Sequence, residues 1–318
     1  MHIKIPCDGL DRFRQALADL GVLRQDRLML AISGGPDSLA LLLLASRVLP
    51  GQVVAATVDH QLRPESADEA DFVGALCLDL AVPHDIMRPA HPIVGNIQSS
   101  ARAARYALLE QAADAHGCAY IATAHHGDDQ IETLLMRVAR GSGVDGMASI
   151  RAKNGRIIRP ILGFAKAELE DICAAAGIDP VRDPSNDNAD FDRVAMRQWI
   201  AQTDHPFQID RANRTAAACG DAADALSWMT RTLADERITQ TDDAITCDAQ
   251  SLPREIQRRL LLESIHRLDP GLHPKGGAID HLLIQLQSGK SAMIGNLICK
   301  GGPRWTLSPA PPRRTGGP

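Results

Sequence analysis

A glycine-rich turn set between two apolar segments constrains this chain more than any other feature. Residues 27–33 (RLMLAIS) are a short continuous apolar run, Ser33-Gly34-Gly35-Pro36-Asp37-Ser38 follows, and residues 36–49 have the length and composition of a helix. Such a run is the pattern of a strand buried on both faces of a parallel sheet. Pro36 falls in the first helical turn, where its missing N–H costs nothing. A second run at residues 52–58 (QVVAATV) completes a βαβ unit. Two glycines let backbone N–H groups approach an anion, and the helix N-terminus adds donors and a favourable dipole. The turn is expected to be a phosphate cradle formed by Ser33, Gly34, Gly35, Pro36, Asp37 and Ser38. In it Ser33 and Ser38 contact phosphate oxygens and Asp37 holds Mg2+. Helix capping by Asp37 and Ser38 is the structural alternative.

The alternation continues with helices near 65–80, 98–116 and 128–140, and strands at 84–87 and 119–123. The expected fold class is α/β, a doubly wound, Rossmann-like parallel sheet. Past the glycine-rich 141–143 the pattern loosens to a strand at 157–161, a helix at 166–176 and a polar turn at 183–188. From about residue 205 the character changes to helices at 212–233 and 253–268, then a Gly-punctuated stretch with room for a hairpin or two. A boundary near 203–207 therefore divides a catalytic domain, 1–205, from a smaller, mostly helical domain, 206–318, that ends in a disordered tail from 309.

Two other polar clusters leave strand ends, where the ligands of such sheets bind. The first contains Asp59, His60 and Arg63, expected to face a nucleotide. The second is Ala124-His125-His126-Gly127-Asp128-Asp129-Gln130-Ile131-Glu132-Thr133. Asp129 and Glu132 share a helical face, a place for a metal or a cationic substrate, while Asp128 reads as a favourable first-turn acid. His125 and His126 lack a third ligand at zinc spacing and read as polar site residues. Ser288-Gly289-Lys290-Ser291 mimics the end of a Walker loop, but Ile284 stands where that motif needs glycine, so a turn is expected there. The dinucleotide fingerprint is missing after the first strand.

Composition excludes several classes. No apolar run approaches the roughly 20 residues of a membrane span, and the first residues do not resemble a secretion signal, so a cytoplasmic protein without membrane attachment is expected. Seven cysteines are scattered singly, which argues against a disulfide framework, zinc or an iron–sulfur cluster. A net charge of -5 restricts any RNA contact to local patches.

Taken together, SGGPDS (33–38), VDHQLRPES (58–66), ARAARY (101–106), AHHGDDQIET (124–133), RGSGVDGM (140–147), RPIL (159–162) and DPSNDN (183–188), followed by Arg193 and Arg197, closely resemble the tRNA(Ile)-lysidine synthetase family of PP-loop ATP pyrophosphatases. The resemblance spans roughly residues 27–200. It implies that ATP, with Mg2+, adenylates the C2 carbonyl of the wobble cytidine at position 34 of a CAU-anticodon tRNA(Ile). Free L-lysine then displaces AMP, so that the anticodon reads AUA instead of AUG. Under this reading Asp37, His125, Asp129 and Arg197 are catalytic, with His125 or an acidic neighbour taking the amine's proton. Arg63, Arg102, Arg105, Asp129, Glu132 and Arg193 bind substrate, and a homodimer is compatible with the reading. Val194 stands where the family usually carries Asn after the first arginine. Arg254, Arg258, Arg259, Lys275, Lys290, Lys300 and Arg304 are candidate tRNA phosphate contacts. The alternatives are a PP-loop tRNA thiolase, an amidating ligase and a catalytically silent RNA-binding protein. The missing cysteine pairs, the missing glutaminase domain and the retained carboxylates speak against these in turn.

Overall fold

The computed structural model describes residues 7–59, 66–89, 97–181 and 192–311. His60, Arg63, the 183–188 turn and most of the expected tail lie outside them. By its contacts the chain forms two compact units, Met1–Gly220 and Asp221–Pro318, divided within a long helix.

The larger unit runs α1 (Cys7–Asp19), β1 (Leu28–Ala31), α2 (Pro36–Val48), β2 (Val53–Val58), α3 (Ser66–Asp79), β3 (His84–Met87), α4 (Ile97–Ala115), β4 (Tyr120–Ala122), α5 (Gly127–Ala139), α6 (Val144–Met147), β5 (Lys153–Asn154), β6 (Ile157–Ile158), α7 (Lys166–Ala175), α8 (Asp192–Gln202) and the start of α9 (Ile209–Arg237). Among the described residues its sheet has six strands in the order β3-β2-β1-β4-β6-β5, parallel except for the β5–β6 edge. This is the expected doubly wound α/β sheet. β1 is central, with Leu28 in register with Val53 of β2 on one side and Tyr120 of β4 on the other.

The apolar runs are continuous because both faces of the sheet are covered. Leu28 and Leu30 enter the core shared with α1, α2 and α7, while Met29 points into a second cluster with Leu109, Ala112 and Ala113 of α4. From Leu39 to Ala45 every residue of α2 is buried, as in a helix wrapped on all sides. Each of its buried leucines contributes roughly 1.5–3 kcal/mol. Helix α1, which the sequence reading did not identify, covers α2 with Phe13 and Leu17, and its Arg12 donates to Glu168 of α7 at 2.5 Å.

Topology then places the chemistry. The chain passes from β1 to β2 and β3 on one side, then crosses to β4 on the other. The crevice between the carboxyl ends of β1 and β4 is thus the topological switch point, where such sheets bind ligands. The β1–α2 and β4–α5 turns flank it, although far apart in sequence.

The smaller unit continues α9 and contains β7 (Ile238–Gln240), β8 (Ile245–Cys247), α10 (Arg254–Leu268), α11 (Gly276–Gln287), β9 (Ser291–Ile294), β10 (Leu297–Lys300) and β11 (Trp305–Pro309). Its described strands form an antiparallel sheet, β7-β8-β11-β10-β9, packed on Leu260, Leu261, Leu283 and Leu286. The expected helices are therefore joined by one continuous sheet instead of isolated hairpins. The sequence reading also did not identify α11, because Gly276 and Gly277 open it. Its stripe of Ile279, Leu282, Leu283 and Leu286 nevertheless has helical spacing and is buried. Residues 288–291 run off α11 as the expected turn, with Gly289 at φ +72°.

Candidate active site

The turn after β1 is held by its own serines. Ser38 Oγ accepts the Ser33 N–H at 3.2 Å, donates to Gly35 O at 2.9 Å, and lies 3.3 Å from Ser33 Oγ. Gly34 has φ +85°, a region that strains a residue carrying a Cβ, and its carbonyl accepts the Val181 N–H at 3.0 Å. Gly35 precedes the helix in an extended conformation with Pro36 following it. The first turn of α2 is thereby aimed at the crevice.

Asp37 stands in that first turn. Its Oδ1 is buried and has no hydrogen-bond partner among the described residues. Burial, then Asp129, raises its pKa, while His126 and Lys166 oppose the shift. A desolvated carboxylate oxygen of this kind is costly unless a cation meets it.

His126 joins the two turns. Its buried imidazole has Nε2 3.6 Å from Asp37 Oδ2 and 3.6 Å from Asp129 Oδ2, and Nδ1 3.4 Å from Asp128 Oδ2. Burial, the largest single influence, pulls its pKa down, but Asp128, Asp129 and Asp37 together outweigh it and the net shift is upward. Asp128 also accepts the Lys166 N–H at 2.7 Å, and its pKa is lowered, chiefly by His126. Read from sequence as a first-turn acid, Asp128 thus ties α5 to α7. Asp129 accepts the His126 N–H at 3.2 Å.

His125 behaves oppositely to its neighbour. Burial pushes its pKa down to about 4, with Arg159, Arg102 and Arg193 adding to the fall and Asp129 opposing it. Its Nδ1 lies 3.0 Å from Thr123 Oγ1 and accepts from Arg159 Nε at 3.4 Å. Arg159, itself buried, follows β6 directly. Sequence reasoning placed it only within a motif, although its position at a strand's carboxyl end was a usable signal.

Glu132 is almost wholly buried and already matched. Arg197 of α8 donates to it through Nε at 2.7 Å and Nη2 at 3.3 Å, and Arg193 Nε lies 3.8 Å away. Arg193 also donates to Thr133 Oγ1 at 2.9 Å. Asp59, buried at the end of β2, accepts from Arg88 Nε at 3.1 Å and Ser66 Oγ at 2.8 Å. On α4, Arg102 stacks over Tyr106 and bears on His125, and Arg105 is exposed one turn further along. In the smaller unit Arg254 and Arg258 pair with Asp280, Arg259 pairs with Glu255, and Arg304 lies 3.8 Å from Asp248. Lys275, Lys290 and Lys300 are exposed.

Among the described residues, no three His, Cys, Asp or Glu side chains are grouped to hold a metal ion by themselves, and no helix is long and apolar enough to cross a membrane.

Residues 10–204 match the PP-loop domain family. A tRNA(Ile)-lysidine synthase from Zymomonas mobilis is 40% identical, over 91% of this chain and 90% of its own. One from Novosphingobium aromaticivorans is 37% identical over the same shares. Among solved structures, a U34-tRNA thiolase from Methanococcus maripaludis superposes with a TM-score of 0.57 at 15% identity, covering 66% of this chain and 77% of its own, which is a likeness of fold alone. The switch-point turn with its orphaned carboxylate, and relatives alike over nearly their full length, lead to one conclusion: this chain belongs to the tRNA(Ile)-lysidine synthase family of PP-loop proteins.

Proposed function

We propose that this protein ligates lysine to C2 of the wobble cytidine in a CAU-anticodon tRNA(Ile) at the expense of ATP, through an adenylated cytidine. The observation that carries the reading is Asp37 Oδ1, buried and unpartnered beside a turn whose backbone faces the switch-point crevice.

In the first step the cytidine carbonyl oxygen bonds to the α-phosphorus and pyrophosphate leaves. The backbone N–H groups of Gly34 and Gly35 and the N-terminus of α2 receive the phosphates, with donors fixed before the reaction begins. Mg2+ fits at Asp37, whose unpartnered Oδ1 would supply one ligand. A lone carboxylate suffices where nucleotide phosphates complete the shell, and the bound ion would neutralise charge on the departing pyrophosphate. Asp59 supports the nucleotide side by fixing Arg88 and the start of α3.

In the second step the lysine Nε bonds to C2, the C2–O bond to AMP breaks, and the amine's proton must be removed. Asp129 receives the ammonium group, oriented by the His126 N–H. Glu132 joins it when the ammonium takes the place of Arg197. Arg102, Arg105 and the exposed lysines Lys275, Lys290 and Lys300 are assigned to tRNA phosphates.

Incubating the protein with ATP, Mg2+, labelled lysine and a CAU-anticodon tRNA(Ile) transcript tests the proposal. Label should enter the tRNA only when all are present. Pyrophosphate release onto another acceptor, with unlabelled tRNA, would refute it.

A further inference from the structure

The two nitrogens of His125 are not equivalent. Nδ1 lies 3.0 Å from Thr123 Oγ1 and receives the Arg159 Nε–H at 3.4 Å. A guanidinium has donors only, so Nδ1 is the unprotonated nitrogen, and its single lone pair is shared between the Arg159 Nε–H and the Thr123 hydroxyl. The ring proton then sits on Nε2. Nε2 has no hydrogen-bond partner among the described residues.

We infer that His125 acts as a neutral hydrogen-bond donor, presenting Nε2–H to a phosphate oxygen, and is not the base that removes the proton of the attacking amine. For its substrate the inference rests on the proposed function; its structural half, the tautomer, stands without it.

The surroundings agree from every side. Arg159 after β6, Arg102 of α4 and Arg193 of α8 are cations acting on the ring, against the single carboxylate of Asp129 from α5. That field favours an anion beside the ring, and Nε2 is the nitrogen left to meet it. The pKa of about 4 leaves the imidazole unable to hold a proton near neutrality, whereas an effective base has its pKa near the working pH. A fixed donor needs no such match. It serves where negative charge gathers on the non-bridging oxygens around the α-phosphorus, and Arg159 behind it holds the ring in place. Arg159 is therefore a positioning residue. The opposite displacement of His126 separates the adjacent histidines into one that stays neutral and one that sits among carboxylates.

Substitution and spectroscopy test this together. His125→Gln sets an amide N–H near the Nε2 position and cannot act as a base, whereas His125→Ala removes the donor. The alanine variant should lose about 10²–10³-fold in kcat. The glutamine variant should stay within about tenfold of wild type and keep its pH–rate profile. If glutamine falls as far as alanine and the limb of the profile reporting a base disappears, the inference is wrong. Should either variant fail to fold, 15N–1H correlation of the imidazoles in the intact wild-type protein decides. The Nε2–H tautomer should persist from about pH 8 to about pH 5, and an Nδ1–H tautomer or an imidazolium at pH 6 contradicts it. Titration of the same sample identifies the acceptor. A shift of the His125 Nε2 signal with pyrophosphate or AMP assigns it to the nucleotide, and a shift only with tRNA assigns it to the RNA backbone. A response to neither overturns the phosphate assignment. Wild-type protein that forms no lysidine yet keeps this tautomer would refute the proposed function and leave the donor geometry intact.

Discussion

Arg197 grips Glu132 with two hydrogen bonds, Nε to Oε1 at 2.7 Å and Nη2 to Oε2 at 3.3 Å, and so fastens α8 to α5. Glu132 is 2% exposed, and a carboxylate so placed must be paired or it destabilises the fold. The arginine is a structural partner in this state, and an amine reaching Glu132 has to displace it.

Arg197→Leu should lower unfolding stability by about 2–3 kcal/mol, less than the roughly 3–5 kcal/mol of a fully buried pair, because Arg197 is partly exposed and Arg193 remains near. The double variant Glu132→Leu, Arg197→Leu should recover most of that loss in urea titrations. Equal destabilisation of single and double variants would show that the pair is not what holds α8.

Asp37→Asn separates stability from activity. The substitution removes a desolvated negative charge whose pKa is raised by burial, so Tm should stay level or rise. Pyrophosphate release should fall by more than about 10²-fold. A near-normal rate would remove Asp37 from the metal, and a large drop in Tm would show that its carboxylate is needed for folding.

His125 predicts an acid weakness of known sign. Its pKa is 6.5 when unperturbed and about 4 here, so between these values the unfolded chain binds a proton that the folded chain does not. Stability is therefore whole above pH 6.5 and declines as pH falls toward 4, by up to about 3 kcal/mol from this group. Urea midpoints of wild type and His125→Gln measured across that range should converge in acid. Parallel pH curves would mean that the imidazole titrates normally.

Gly127 opens α5 immediately after His126, and a Cβ there would lie 2.5 Å from Ile209 Cγ2. Gly127→Ala should cost about 1–3 kcal/mol by overpacking and reduce activity by disturbing His126. Adding Ile209→Ala should restore activity more than stability. Failure of the second change to restore either would place the strain elsewhere.

The sheet was legible because its strands announce themselves. The apolar runs ending at Ser33 and Val58 have to be buried on both faces, and that alone implies the helices between them. The glycine-rich turn between β1 and α2 was legible for the same local reason. What escaped depended on partners distant in sequence. Helix α1 has no motif, only Phe13 and Leu17 fitting α2. The charge state of His125 depends first on its burial and then on groups such as Arg159, which chain order does not bring near. Asp59 and Glu132 read as free site carboxylates, yet Arg88 and Arg197 already balance them. In the smaller unit Gly276 and Gly277 obscured a helix that its leucine stripe would have identified.

The most direct test of the central claim is mass spectrometry of the nucleoside at the wobble position after reaction with ATP, Mg2+ and isotopically labelled lysine. The account predicts a cytidine bearing one lysine, with one pyrophosphate released per nucleoside formed, and neither product from Asp37→Asn. An unmodified cytidine, or lysine attached at any other nucleotide while pyrophosphate is released, would contradict it.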